Sequence, residues 1–384
     1  MEHDARSRRA RHAATLANPP LPLVAFVGRA LARLVLVFVA AELMAMAAFT
    51  LTLRHQLQGV WHVDGAAVIA AVDDAHIATF AEQLYDPLLG WTFKPATTAI
   101  PYTAFDARGA RRDSRPWTGR IVAYGDSRTF GANVADDATW PHALGELLGE
   151  GVANFGVLRY GPDQAFLRLR ENVAVLGSPD VVIFGISSDG IARAVNAWSY
   201  LYDREEPLAF KPMLEVGGGR WLPNPLASLT DRDSIAAALT TAASAPDYWQ
   251  IFNESRPVPE FPYLWAAADT ADYLLVRARR WQDLWQEPRA VATMDAIVDE
   301  LVSLARVRGF RPVLLFIPLV EDVRLHAAGK PATYATFAAQ TANTYADRLI
   351  VADPLAVGFH AGLFAAAPNQ VLAETVFAAL RSIP

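Results

Sequence analysis

Five short apolar runs constrain the fold of this chain more than any other feature. They read RIVAYG (120–125), VANFGV (152–157), DVVIFGIS (180–187), RPVLLFIP (311–318) and RLIVADP (348–354). Each is apolar almost without interruption, whereas a strand wet on one face would alternate apolar and polar positions. Helical patterns near 138–149, 163–177, 291–308, 332–346 and 369–381 separate or follow them. Strands and helices alternating at this spacing predict a doubly wound α/β domain whose parallel sheet is covered on both faces. In such sheets, sites form at the carboxyl ends of the strands. The first run ends in Gly125-Asp126-Ser127, which places Ser127 at such an end.

Composition removes several classes of function. Of 384 residues, 53% are hydrophobic and 19% charged, so there is ample material for a core. A net charge of −6 argues against a basic face for nucleic acid. There is no cysteine, hence no disulfide, no thiolate metal site and no cysteine nucleophile. His326, with Glu321 and Asp322 nearby, is too poor a cluster to hold a metal. No metal or other cofactor is expected. A nucleotide-binding role is disfavoured because no glycine-rich phosphate loop follows the first strand.

The N-terminal region carries a membrane signal. Residues 34–53, LVLVFVAAELMAMAAFTLTL, contain a single charge, Glu42. A helix of that length matches a hydrocarbon core of about 30 Å. Arg6, Arg8, Arg9, Arg11, Arg29 and Arg33 precede it, and Arg54 is the only Lys or Arg in residues 54–73. The positive-inside rule then puts the N-terminus in the cytoplasm and the main domain outside, in the periplasm of a bacterium with its inner membrane as the anchor site. A signal peptide cleaved after Ala45-Met46-Ala47 is the alternative; the long basic lead and the continuing apolar run favour an anchor. Glu42 costs about 2.5–3.5 kcal/mol at the centre of such a helix. It is read either as a contact with a membrane protein partner or as a protonated carboxyl outweighed by its apolar neighbours.

The expected organisation is a basic cytoplasmic tail (1–33), a transmembrane helix (34–54), an extracytoplasmic lead-in (55–115) and the α/β domain (116–384) with an insertion at 198–290. The insertion contains KPMLEVGGGRWLPNP (211–225), which resembles a hairpin turning on Gly217-Gly218-Gly219. It also holds Trp198, Trp221, Trp249, Trp265, Trp281 and Trp285, six of the ten tryptophans. These are read as a satellite core or a membrane-surface contact, with a sugar-stacking cleft as the alternative.

Acyl transfer by a serine needs a base to take its proton and donors aimed at the oxyanion. The turn at 125–127 exposes Ser127, and the N–H groups of a helix beginning there point toward developing negative charge. NFGVLRYGPDQ (154–164) follows the second strand, and Gly156 in it can bring a backbone N–H close to a ligand. FGISSDGIARAVN (184–196) places Ser187, Ser188 and Asp189 at the same rim. Asp126 is read as a loop-bonding residue rather than a base. Arg128 and Arg159 either add positive charge to the site or pair with surface acids. His142 is expected to pack or face solvent.

These segments, with YDPLLGW, FDARGARR, GDSRTFGANVADDATWP and APNQVLAETVFAAL, resemble the SGNH (GDSL-type) hydrolases, specifically a membrane-tethered bacterial subgroup, over about residues 84–384. The resemblance implies a three-layer α/β/α, flavodoxin-like fold with a five-stranded parallel sheet, and hydrolysis or transfer of O-acyl esters. It implies Ser127 as nucleophile and the backbone N–H groups of Ser127 and Gly156 in the oxyanion hole. The family's third donor is an asparagine side chain, and Ser188 occupies that position here. The family's Asp-x-x-His element is displaced: counting back from Asn369, the histidine slot is Leu363 and the aspartate slot is His360. His360 is the only histidine in the last 58 residues and is taken as the base, with Asp353 or no acid behind it. The substrate implied is an acylated glycan of the envelope or an exported polysaccharide. The alternative is a binding or scaffolding subunit of a polysaccharide assembly with an impaired site.

Overall fold

The structure, a computed structural model, describes residues 21–53, 62–95, 100, 102–245, 247–249, 258–272, 281–357 and 367–382. The chain divides into two compact units, Met1–Trp61 with Pro257–Ala278, and His62–Arg256 with Arg279–Pro384.

In the larger unit five strands form one sheet: β1 (Trp117–Tyr124), β2 (Gly151–Asn154), β3 (Val181–Ser187), β4 (Arg311–Ile317) and β5 (Ile350–Ala352). Their order is β2-β1-β3-β4-β5 and every neighbouring pair is parallel, with Ile121 opposite Val181, Phe184 opposite Leu314 and Leu315 opposite Ala352. The helices that matter to the site and the core are α1 (Ser127–Phe130), α2 (Trp140–Leu148), α3 (Pro162–Asn172), α4 (Pro288–Arg308), α5 (Val320–Ala327), α6 (Ala335–Thr344) and α7 (Pro368–Arg381).

The apolar runs are continuous because both faces of the sheet are covered. Ile121, Ala123, Ile183, Val313 and Leu315 pack on Trp140 and Leu144 of α2 and on Val371, Leu372 and Val376 of α7. Val122, Tyr124, Val182, Phe184, Leu314 and Phe316 face the other way, in the larger core with α3, α4 and α6. Each large side chain so buried contributes about 1.5–3 kcal/mol. This is the expected three-layer α/β/α fold.

Two expected strands are shorter than their apolar runs. The second stops at Asn154, whose side chain turns to bond the helix after Ser127; the fifth comprises Ile350–Ala352. The described residues of the expected lead-in, 55–115, build part of the core itself. Phe93 and Phe105 pack with Phe130, at ring separations of 5.0 and 6.2 Å, and Trp91 Nε1 donates to the Leu158 carbonyl at 3.0 Å.

The insertion forms the expected hairpin, Met213–Leu214 pairing with Trp221–Leu222. Its tryptophans in this unit serve mainly as core. Trp198 stacks on Phe210 at 5.5 Å, Trp221 on Phe166 at 5.9 Å, and Trp285 meets Phe337 at 5.3 Å.

Among the described residues, one helix is long and apolar enough to cross a membrane, Leu23–Leu51 in the smaller unit. Its α-helical part begins at Leu21, so Arg29 and Arg33 of the expected tail lie on the same helix. A second helix, Tyr263–Asp272, belongs to this unit. The Glu42 carboxylate accepts the Tyr263 N–H at 2.8 Å and the Leu264 N–H at 3.4 Å.

Candidate active site

Ser127 stands where the sheet order reverses. The chain leaves β1 for β2 on one side and later returns to β3 on the other, so the ends of β1 and β3 bound the kind of crevice where open α/β sheets hold ligands. Gly125 and Asp126 turn the chain, and Ser127, half-buried, opens α1. Glycine is required at 125, since a Cβ there would lie 2.2 Å from Thr129 Oγ1 and 2.8 Å from the Gly185 carbonyl oxygen. Asp126 caps α1 by accepting the Arg128 N–H at 2.8 Å. Burial pushes the Asp126 carboxyl above the ordinary carboxylate range, with Arg193 opposing and Asp189 adding to the shift. Asp126 is therefore a cap, as its sequence position suggests.

α1 is a single turn and is held from outside. Arg111 is buried, and its guanidinium donates to the carbonyls of Phe130 at 2.8 Å, Gly131 at 2.7 Å and Val134 at 2.6 Å. Its Nε donates to Asp136 at 2.7 Å. Some of these acceptors are carbonyls that a helix end leaves without a partner. Asn154 adds its Nδ2, donating to the Thr129 carbonyl at 2.9 Å and the Phe130 carbonyl at 3.2 Å. Arg111 and Asn154 together fix the turn that presents Ser127. Both lie in sequence blocks that carry the resemblance, yet nothing in the sequence alone marks either as a clamp.

The Gly156 N–H donates to Asn154 Oδ1 at 2.9 Å in this structure. Glycine is needed there for space: a Cβ would sit 2.2 Å from the Phe130 nitrogen, because the loop after β2 passes directly against α1. The donor on the serine comes from three residues further on, where the Arg159 N–H meets Ser127 Oγ at 2.8 Å. Arg159 holds a left-handed φ of 64°, a conformation that costs a non-glycine residue about 1–2 kcal/mol. Its guanidinium pairs with Glu205 at 2.9 Å, while Arg128 is exposed.

Ser188 is fully buried between the ends of β3 and β4. Its Oγ accepts the Leu319 N–H at 3.3 Å, its N–H donates to the Ile317 carbonyl at 3.1 Å, and its carbonyl accepts from Trp285 Nε1 at 2.8 Å. The residue fastens two strand ends together and keeps one O–H to donate.

His360 lies outside the described residues. Among the described residues, no imidazole or carboxylate hydrogen-bonds Ser127 Oγ. Asp353, at the end of β5, accepts the Tyr334 hydroxyl at 2.9 Å and the Leu355 N–H at 3.0 Å. Burial raises its pKa, and these hydrogen bonds moderate the rise. β5 lies three strand spacings from β1, about 14 Å across the sheet. His142 is buried with Nδ1 2.9 Å from Asp113, a structural pairing on α2. Among the described residues, no group of three or more histidine or acidic side chains is arranged to hold a metal ion.

The arrangement can present a serine hydroxyl at a strand end, with one backbone donor already on its oxygen. No family model matches the chain, and no curated protein sequence matches it. Among solved structures it is similar to a Desulfitobacterium hafniense DCB-2 protein assigned to the G-D-S-L family of lipolytic proteins. That similarity has a TM-score of 0.34 and 14% sequence identity, covering 68% of this chain and 99% of the other.

Proposed function

We propose that this chain is a membrane-anchored, periplasm-facing serine esterase or O-acyltransferase of SGNH type, acting on acyl esters, acetyl esters above all, of an envelope or exported polysaccharide. The observation that carries the reading is Ser127 at the carboxyl end of β1, its Oγ held at 2.8 Å by a backbone N–H from the loop after β2. The sequence blocks that resemble SGNH hydrolases supply the reaction class, and the helix Leu23–Leu51 supplies the anchor.

In this reading Ser127 Oγ forms a bond to the acyl carbonyl carbon as its proton passes to the imidazole of His360. The carbonyl oxygen gains negative charge and is met by the N–H groups of Ser127 and Arg159. The sugar oxygen leaves with the proton from His360. Water, or a second hydroxyl in transfer, then attacks the acyl carbon as its proton passes to His360, and the Ser127 Oγ–acyl bond breaks with that proton returned to Oγ. Gly156 contributes by letting the loop approach α1, and Ser188 offers its remaining O–H as a third donor. Losing one oxyanion donor in such a site costs about 10²–10³ in rate. The described chain leaves β5 through Val357 and resumes at Ala367, and Asn369 bonds the Ala138 carbonyl at 2.8 Å. His360 belongs to the segment between.

A second reading, an SGNH-fold subunit that binds polysaccharide without turnover, is favoured by one observation: the Gly156 N–H and Ser188 Oγ are both engaged in structural bonds. Acetate release from an O-acetylated polysaccharide by the purified protein separates the two. The esterase reading expects release that disappears in Ser127→Ala. Polysaccharide binding that is unchanged in Ser127→Ala, with no release by either protein, favours the second.

A further inference from the structure

Glu42 stands inside the apolar helix Leu21–Ala48 yet is only 7% exposed. What covers it comes from more than two hundred residues later in the chain. The backbone N–H groups of Tyr263 and Leu264 point at its carboxylate, at 2.8 and 3.4 Å. These are first-turn donors of the helix Tyr263–Asp272, which has no partner for them within itself. In hydrocarbon each side of this contact would be expensive alone, the carboxylate by about 2.5–3.5 kcal/mol and the open N–H groups as unsatisfied backbone. Each satisfies the other, and the sign suits the helix dipole. The Tyr263 ring also packs near buried Phe49, with ring centroids 6.5 Å apart.

From Glu42 onward the long helix exposes apolar side chains, with Leu43 55%, Met44 68% and Leu51 77% exposed. On the returning segment Phe261 is 73% and Trp265 75% exposed. The returning sequence, FPYLWAAADTAD (261–272), is apolar at its start and acidic at its end. Glu42 precedes Leu51 by nine residues, about 13 Å of helix rise. The 10-residue helix Tyr263–Asp272 is about 15 Å long, enough to run from the depth of Glu42 to the end of the apolar stretch.

We propose that residues 261–272 are seated in the outer leaflet of the bilayer against the anchor helix, latched by Glu42, with Phe261 and Trp265 among the lipid acyl chains. The proposal rests on the reading of Leu23–Leu51 as a retained anchor. It also gives that helix a task after export: cleavage following Ala47 would remove Glu42 and strip the returning helix of its N-terminal partner. The occupant of the exposed apolar face is lipid, because that face continues the lipid-facing surface of the anchor.

The absence of cysteine makes a direct test simple. Single variants Val39→Cys, Phe261→Cys, Trp265→Cys and Thr240→Cys of the full chain are labelled with an environment-sensitive fluorophore and reconstituted into phosphatidylethanolamine–phosphatidylglycerol vesicles containing brominated lipid. Expected is strong quenching at 39, 261 and 265, with none at 240, an exposed position of the larger unit. Quenching at 39 without quenching at 261 and 265 overturns the proposal and leaves the anchor standing. No quenching at 39 removes the anchor and the proposal with it. Adding Glu42→Leu to Trp265→Cys is expected to abolish quenching at 265 while that of Val39→Cys in the same background persists; unchanged quenching at 265 overturns the latch.

Discussion

The carboxyl ends of β1 and β5 are built in opposite ways. At β1 the serine-bearing turn is held by Arg111, Asn154 and the Arg159 N–H, through seven hydrogen bonds of 2.6–3.2 Å to the turn and its serine or to the residues just beyond. At β5 the described chain offers one acid, Asp353, already committed to Tyr334 and Leu355. A nucleophile can be placed by short-range geometry on a single turn. Among the described residues the end of β5, about 14 Å from β1 across the sheet, has no comparable short-range frame.

That contrast can be broken at its rigid end first. Arg111→Ala leaves helix-end carbonyls and Asp136 without their buried cation. The expected loss is about 3–5 kcal/mol of unfolding free energy, read by urea denaturation. A loss below about 1 kcal/mol would mean that the turn holds itself and the clamp is incidental. Gly156→Ala comes next, because its Cβ would meet backbone rather than a flexible side chain. It is expected to destabilise by about 1–3 kcal/mol while leaving every donor and acceptor of the site chemically present.

At the other end, Asp353→Asn tests the electrostatics. The folded-state carboxyl has a pKa above its ordinary value of 3.8, so the native state binds this proton more tightly than the unfolded chain. Its contribution to stability is full in acid and is lost as pH rises from 3.8 through the folded value. Asparagine cannot ionise, so the variant should gain stability relative to the parent as pH increases across that window. Denaturation midpoints that track the parent in parallel would show that Asp353 does not titrate in this way.

Arg159→Gly should have the smallest effect. The N–H on Ser127 is kept, and relief of the left-handed φ offsets the greater freedom of glycine in the unfolded chain, leaving a change under about 1 kcal/mol. A large loss would mean that the Arg159 side chain, rather than its backbone, organises the loop.

The same contrast explains what the sequence reveals. Strands buried on both faces announce themselves as apolar runs, and Ser127 follows the first of them at a glycine whose need is purely steric. Gly156 is legible as a special position, but sequence does not distinguish a glycine that donates from one that makes room. Arg159 is legible as a charge near the site, but its contact with the serine is a backbone N–H, which any residue but proline supplies. Arg111 escapes because arginine ordinarily reads as surface, and only the fold shows carbonyls converging on it. The tryptophans of the insertion read as a satellite core, a membrane-surface contact or a cleft, and stacking on Phe210 and Phe166 puts Trp198 and Trp221 with the core. Residues 62–95 look like a lead-in because their aromatic side chains are spread along the chain, although Phe93 sits 5.0 Å from Phe130 in the same core as the sheet.

The most direct test of an activated serine at the end of β1 is fluorophosphonate labelling of the purified protein, with the modified peptide located by mass spectrometry. The proposed mechanism predicts phosphonylation at Ser127, abolished in Ser127→Ala and strongly reduced in His360→Ala. A folded protein that takes no label, or takes it equally in Ser127→Ala, would contradict it.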